Sequence, residues 1–173
     1  MNAEQAKFLA ETFAATFEQE SQTTARVLAA VPDAKRDYRP DEKSRTAWEL
    51  ATHLATGDIW FLDSICDGAF NFDPEAEKRM TAGFKNINDV VEFYKREFPA
   101  RVERLRSTPP EKLAQVVDFF GVMKQPAAAF LMFANNHGIH HRGQLAAYLR
   151  AMGSKVPSIY GGSADEPMTA AAS

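Results

Sequence analysis

The chain is poor in cysteine: Cys66 is the single one in 173 residues. One thiol cannot close an internal disulfide or build a cysteine-rich zinc site. A basic excess is also missing. Lys and Arg number 20 against 23 Asp and Glu, a formal charge of −3, and no basic run occurs, which excludes a nucleic-acid binder driven by phosphate contacts. No apolar stretch approaches the roughly 18 residues of a membrane span. The opening MNAEQAKFLAE carries early acidic residues and no apolar core, unlike a secretory signal. Internal repeats and low-complexity blocks are absent as well. These absences together lead us to expect a soluble, cytoplasmic protein without membrane or nucleic-acid partners.

What remains is enough for one domain. Hydrophobic residues make up 45% and charged residues 25%, and folding at this size hides roughly 70% of the unfolded surface. Apolar residues recur at helical steps over 3–31, where Phe13, Phe17, Thr24, Val27, Leu28 and Val31 form one stripe that Pro32 ends. Residues 32–45 are polar, contain two prolines and read as a connection. Thr46 and Glu49 have capping-box spacing, which opens a second helix running to about Asp67, with Gly68 as its stop. Residues 69–86 fit no element. Asn88 is the expected cap of a third helix over 89–107, in which Pro99 should kink or break the run. Thr108-Pro-Pro-Glu111 reads as a short helical turn, and residues 115–123 as a strand or an extended loop. Pro126 is the expected start of a fourth long helix, 126–152, closed by Gly153. Four amphipathic segments with little strand signal predict an all-α, four-helix bundle with long connections. The bundle is expected over 1–160, and 161–173 as a flexible tail whose last ten residues are disordered.

Four histidines are present: His53, His137, His140 and His141. With His137 at zero on a helical wheel, His141 lies at about 40° and His140 at about −60°. The stripe Phe130, Ala134, Gly138, Leu145, Tyr148 and Met152 centres near 60°. His137 and His141 therefore face inward, while His140 lies on the flank. His53 shares a face with Leu50, Leu54, Gly57 and Phe61. Burying lone imidazoles is costly and several together cannot all be protonated, so a divalent ion resolves both problems. Histidines at i and i+4 can share an ion, with the third ligand from a neighbouring helix. Inward histidines also occur as hydrogen-bonded core residues, and that alternative stays open.

The stretches Trp48-Glu-Leu-Ala-Thr-His53-Leu54 and Asn136-His-Gly-Ile-His-His-Arg-Gly-Gln144-Leu145, followed by AAYLRAMGSKVPSIYGG, resemble the DinB superfamily over nearly the full length. The resemblance implies a four-helix bundle, often homodimeric, with a divalent ion held by His53, His137 and His141. The superfamily also includes S-transferases and isomerases that use bacillithiol or mycothiol, and nothing in this sequence selects one thiol.

Three protein ligands leave an open position on a tetrahedral ion, the pattern of catalytic zinc. Zinc or nickel is the expected metal, with iron or manganese as further possibilities. Such an ion can activate water or a thiol for attack on a small-molecule substrate. Ligation needs neutral imidazoles, so release is expected below about pH 6. No general base is evident. Glu49 can reach the site or serve only its capping box, and Asp58 reads as a surface residue or one behind the ligands. An H-E-x-x-H motif is absent. Gln144 borders the site or makes a helix-packing hydrogen bond. Arg142 lies off the ligand side, as a dimer or inter-helix ion pair. Tyr160 can close over the pocket or pack in its loop. Trp48 and Trp60 read as core or interface, and Cys66 as a passive buried thiol. Three functions are compatible with these residues: a metal-dependent hydrolase or thiol S-transferase, a non-catalytic metal-binding or stress-response protein, and a metal-free interaction module.

Overall fold

A computed structural model describes residues 1–168. Helix α1 spans Ala3–Ala29, capped by Asn2 in a reciprocal box with Gln5. A single 3-10 turn at Asp33–Lys35 leads to α2, Ala47–Asp67. The expected capping box is present there: Glu49 N–H donates to Thr46 Oγ1 (3.1 Å) and Thr46 N–H donates to Glu49 Oε2 (2.8 Å). Gly68 ends the helix in the left-handed region, at φ 72°.

The unassigned stretch contains a helix, α3, Pro74–Thr81. Asp73 accepts the Glu75 N–H and Pro74 opens the first turn, a local start signal. None of its residues is buried, so no apolar stripe announced it. Helix α4 spans Ile87–Ser107. Its cap is Asn86, whose Oδ1 accepts the Asp89 N–H at 3.0 Å, and not Asn88. Pro99 does not break α4. Both Pro99 and Lys95, whose carbonyl loses its usual donor, are exposed, so water can supply the missing bond.

After the one-turn α5 (Pro110–Leu113) comes an antiparallel hairpin, β1 Val116–Phe119 and β2 Met123–Pro126. Phe120 and Gly121 both have positive φ in its turn. The last long helix, α6, therefore starts at Phe130 and ends at Ala151. Pro126 closes β2, and a 3-10 turn at Ala127–Ala129 intervenes.

Helix α1 packs beside α4 and α6, and α2 also packs beside α4 and α6. The four long helices thus ring one core, with α1 diagonal to α2. Leu28, Leu50, Leu54, Ile59, Tyr94, Leu105, Phe130 and Leu145 fill it. The architecture is the expected helical bundle, with the small sheet added. No helix among the described residues is long and apolar enough to cross a membrane. In the segment after Tyr160, Asp165 pairs with Arg150 and accepts the Val156 N–H, and Glu166 accepts the Ser158 N–H. Residues 169–173 of the expected tail lie outside the described residues.

Candidate metal centre

Adjacent helices α2 and α6 bring His53, His137 and His141 together. His53 Nε2 lies 3.2 Å from His137 Nε2 and 3.2 Å from His141 Nε2. His140 is exposed and outside the group. The buried residues of α6 centre near 100° on its wheel rather than 60°. The two inner histidines therefore sit at the edge of the core, half-buried and reachable.

The proton inventory explains why these contacts are unusual. His141 Nδ1 lies 2.8 Å from Gln144 Oε1, an acceptor, so Nδ1 carries the hydrogen and Nε2 a lone pair. His53 Nε2 has at most one hydrogen for two close nitrogens. His53 Nε2 therefore cannot donate a full hydrogen bond in both contacts, whereas a cation among the three nitrogens would satisfy all of them. A tetrahedral zinc at about 2.0–2.1 Å from imidazole nitrogen places its ligand atoms about 3.3–3.4 Å apart, close to the two 3.2 Å spacings made by His53, and all three donor atoms lie within 4.8 Å of one another. The donor set fits a divalent transition metal.

Burial first, then Arg45 and the two neighbouring imidazoles, push the His53 pKa down to about 3. Burial pushes His141 down to about 4, against the pull of Gln144. Both rings are thus neutral at pH 7, as ligation requires. Protons compete for these two nitrogens well below the pH 6 expected from an unperturbed imidazole.

Behind His137 lies the Asp58 carboxylate. His137 Nδ1 is buried without a hydrogen-bond partner, and the nearest carboxylate oxygen, Asp58 Oδ1, is 3.7 Å away. Asp58 Oδ2 accepts the Tyr94 hydroxyl at 3.0 Å. Burial pushes the Asp58 carboxyl up, while His137, Tyr94 and Arg142 oppose that shift. Asp58 is therefore interior, behind a candidate ligand. Gly57 makes the approach possible: a Cβ there would meet His137 Cε1 at 2.7 Å.

The other singled-out residues separate clearly. Gln144 borders the site through His141, instead of packing helices. Glu49 is occupied by its cap, which holds its carboxyl below the usual range. Arg142 is 1% exposed and makes the inter-helix ion pair, to Glu20, with further bonds to Thr24 Oγ1 and the Glu20 carbonyl. Tyr160 binds Arg142 and Glu20, away from the triad. Trp48 lies under the Arg36 guanidinium. Burial raises the Cys66 thiol pKa, in keeping with a passive thiol.

A cavity of about 450 Å³ opens beside the three histidines, and Trp60 is part of its wall. Phe119 of the hairpin, Phe133 of α6 and Glu77 of α3 complete it. Glu77 also borders a second cavity beside His53 and makes no ion pair among the described residues. The sequence pattern missed Glu77 because α3, at eight residues, is too short to show a sustained apolar stripe, and missed Phe119 because a hairpin of four-residue strands has too few positions to show alternation.

The DinB family model matches residues 1–170. The uncharacterized protein YjoA of Bacillus subtilis is 32% identical over 117 residues, which are 67% of this chain and 73% of that protein. A crystal structure of a DinB-like protein from Bacillus cereus superposes with a TM-score of 0.71 at 26% identity, over 87% of this chain and 97% of that one. The mycothiol-dependent maleylpyruvate isomerase shares the fold at a TM-score of 0.55 and 15% identity, over 84% of this chain and 61% of that one.

Proposed function

The chain belongs to the DinB family, and from that premise we propose that it is a metal-dependent enzyme that transfers a thiol to a small electrophile. The observation that carries this reading is the convergence of three imidazole Nε2 atoms in the wall of a cavity sized for a small molecule. A divalent ion bound there would supply Lewis acidity that favours the deprotonated form of a thiol or water. His53, His137 and His141 would hold the ion. Gln144 fixes the ring of His141, and Asp58 faces the ring of His137, the outer support that ligating histidines commonly have.

The rest of the work falls to the cavity. The aromatic wall excludes water from the attacking sulfur. The sulfur forms a bond to the electrophilic carbon, a leaving group departs with its electron pair, and the thiol proton goes to solvent or to Glu77. Thiol transfer is favoured over hydrolysis because a thiol gives up its proton more readily than water does. The name of the maleylpyruvate isomerase, on the same fold, supports a low-molecular-weight thiol as co-substrate.

The test is turnover of 1-chloro-2,4-dinitrobenzene with a panel of small thiols, and of p-nitrophenyl acetate with water, by zinc- and nickel-loaded protein. Metal-dependent thiol transfer lost in the H137A/H141A variant is the expected result. Metal bound without turnover above that variant on either substrate would establish the non-catalytic binding reading instead. Ester hydrolysis alone would replace thiol transfer with hydrolysis.

A further inference from the structure

The cavity beside the triad has a one-sided chemistry. Its apolar wall is built from Trp60, Phe61, Phe119 and Phe133. These rings brace one another: Phe61 meets Phe133 at 5.5 Å between centroids, and Phe119 meets Phe133 at 5.5 Å. Phe61 also lies 5.0 Å from the ring of His137, so the wall runs directly into the candidate metal centre. The charged residues of the lining are Asp73 and Glu77, and no Lys or Arg lines the cavity. Apart from an ion at the three histidines, an anionic ligand would find no counter-charge in this lining and would meet two carboxylates.

The opposite side is α3, and it is incompletely packed. An eight-residue helix is marginal on its own and normally depends on a buried apolar face. None of the residues of α3 is buried, yet Ala76 and Met80, one turn apart, line the cavity. The helix thus turns its apolar side toward empty volume. A benzene-sized cavity is about 150 Å³, so about 450 Å³ accommodates a ligand of one or two rings with substituents.

We infer that this cavity takes an uncharged aromatic small molecule, which packs between the phenylalanine wall and α3 and completes the packing of that helix. The inference rests on the reading of the site as one for small molecules and names the substrate class of that site: an aromatic electrophile rather than an aliphatic acid.

The experiment uses three matched probes, 1-naphthalenemethanol, 1-naphthoate and 1-naphthylmethylammonium, titrated into the zinc-loaded chain and into the H137A/H141A variant. In the variant no ion can attract the carboxylate, so the wall alone is read. There the alcohol should bind at least about tenfold more tightly than the naphthoate or the ammonium. Phe133→Ala and Met80→Ala, both at partly exposed positions, should each weaken the alcohol by about tenfold or more. Saturation with the alcohol should slow amide exchange across 74–81 by about tenfold or more. Equal or preferred binding of either charged probe in the variant would overturn the inference. So would unchanged affinity in the Phe133 and Met80 variants, or protection of α3 that rises with protein concentration without ligand, since a second copy would then cover the helix. Zinc uptake without probe binding removes this inference and leaves the metal reading. Probe binding without zinc uptake does the reverse.

Discussion

The two flanks of α6 treat buried polarity in opposite ways. On one flank Arg142 is almost completely enclosed, and its donors reach the Glu20 carboxylate and carbonyl, Thr24 and Tyr160. On the other flank, less than two turns away, three imidazole nitrogens crowd together without hydrogens enough to satisfy them, and His137 Nδ1 has no partner. A structural polar group is retained only when its partners are supplied. The satisfied flank reads as architecture. The unsatisfied flank reads as a site whose missing partner comes from outside the chain.

The largest effect should come from breaking the satisfied flank. Arg142→Ala removes a largely buried ion pair, leaving the Glu20 carboxylate only the Tyr160 hydroxyl, and should cost about 3 kcal/mol of stability. Calorimetry should show this as a fall in Tm of about 10 °C for a chain of this size, with zinc stoichiometry unchanged in the folded protein. A fall of less than about 3 °C, corresponding to about 1 kcal/mol, would mean that the arginine network is not what secures α6 against α1.

A smaller change should sharpen the contrast from the other side. Gly57→Ala brings a methyl group to within 2.7 Å of His137 Cε1 unless the ring moves. Zinc affinity should drop about 10- to 100-fold, the range seen when the support of a metal ligand is disturbed. Alanine is favoured over glycine within a helix by up to about 1 kcal/mol, so the metal-free chain should keep its stability. Competition with a chromophoric chelator, beside urea unfolding, separates the two. Equal losses of affinity and of stability would make Gly57 a packing residue only.

The smallest effect is in the pH dependence of the metal-free chain. His53 and His141 have folded pKa values of about 3 and about 4, against about 6.5 when unfolded. Below pH 6.5 the unfolded chain therefore binds protons that the folded chain refuses. Stability should be level above that pH and fall as pH drops toward the folded values. Urea midpoints between pH 6.5 and 5, above the ordinary range of exposed carboxylates, should show the slope, and the part of it due to His53 should disappear in His53→Asn. A slope identical in that variant would contradict neutral, crowded imidazoles.

The bundle was legible because its long helices carry apolar stripes, and the caps at Thr46 and Gly68 followed from local chemistry alone. The three histidines were separable from His140 by wheel position, a property of spacing. Other features depend on partners distant in sequence. Asp58 faces His137 only because Gly57 lets the two helices approach. Arg142 lies on the buried side because the core of α6 is rotated about 40° from the stripe its obvious hydrophobes define. Helix α3 has eight residues and buries none of them, too short a stretch for a sustained apolar stripe, and Glu77 stayed hidden with it. Asn86 rather than Asn88 caps α4 because two asparagines near one helix start are locally equivalent, and tertiary packing selects between them.

The most direct measurement is elemental analysis of the purified chain after incubation with zinc or nickel and gel filtration, beside the H137A/H141A variant. About one equivalent of transition metal in the parent and none in the folded variant is the expected result. A parent without metal, or a variant that keeps it, would contradict the three-histidine centre.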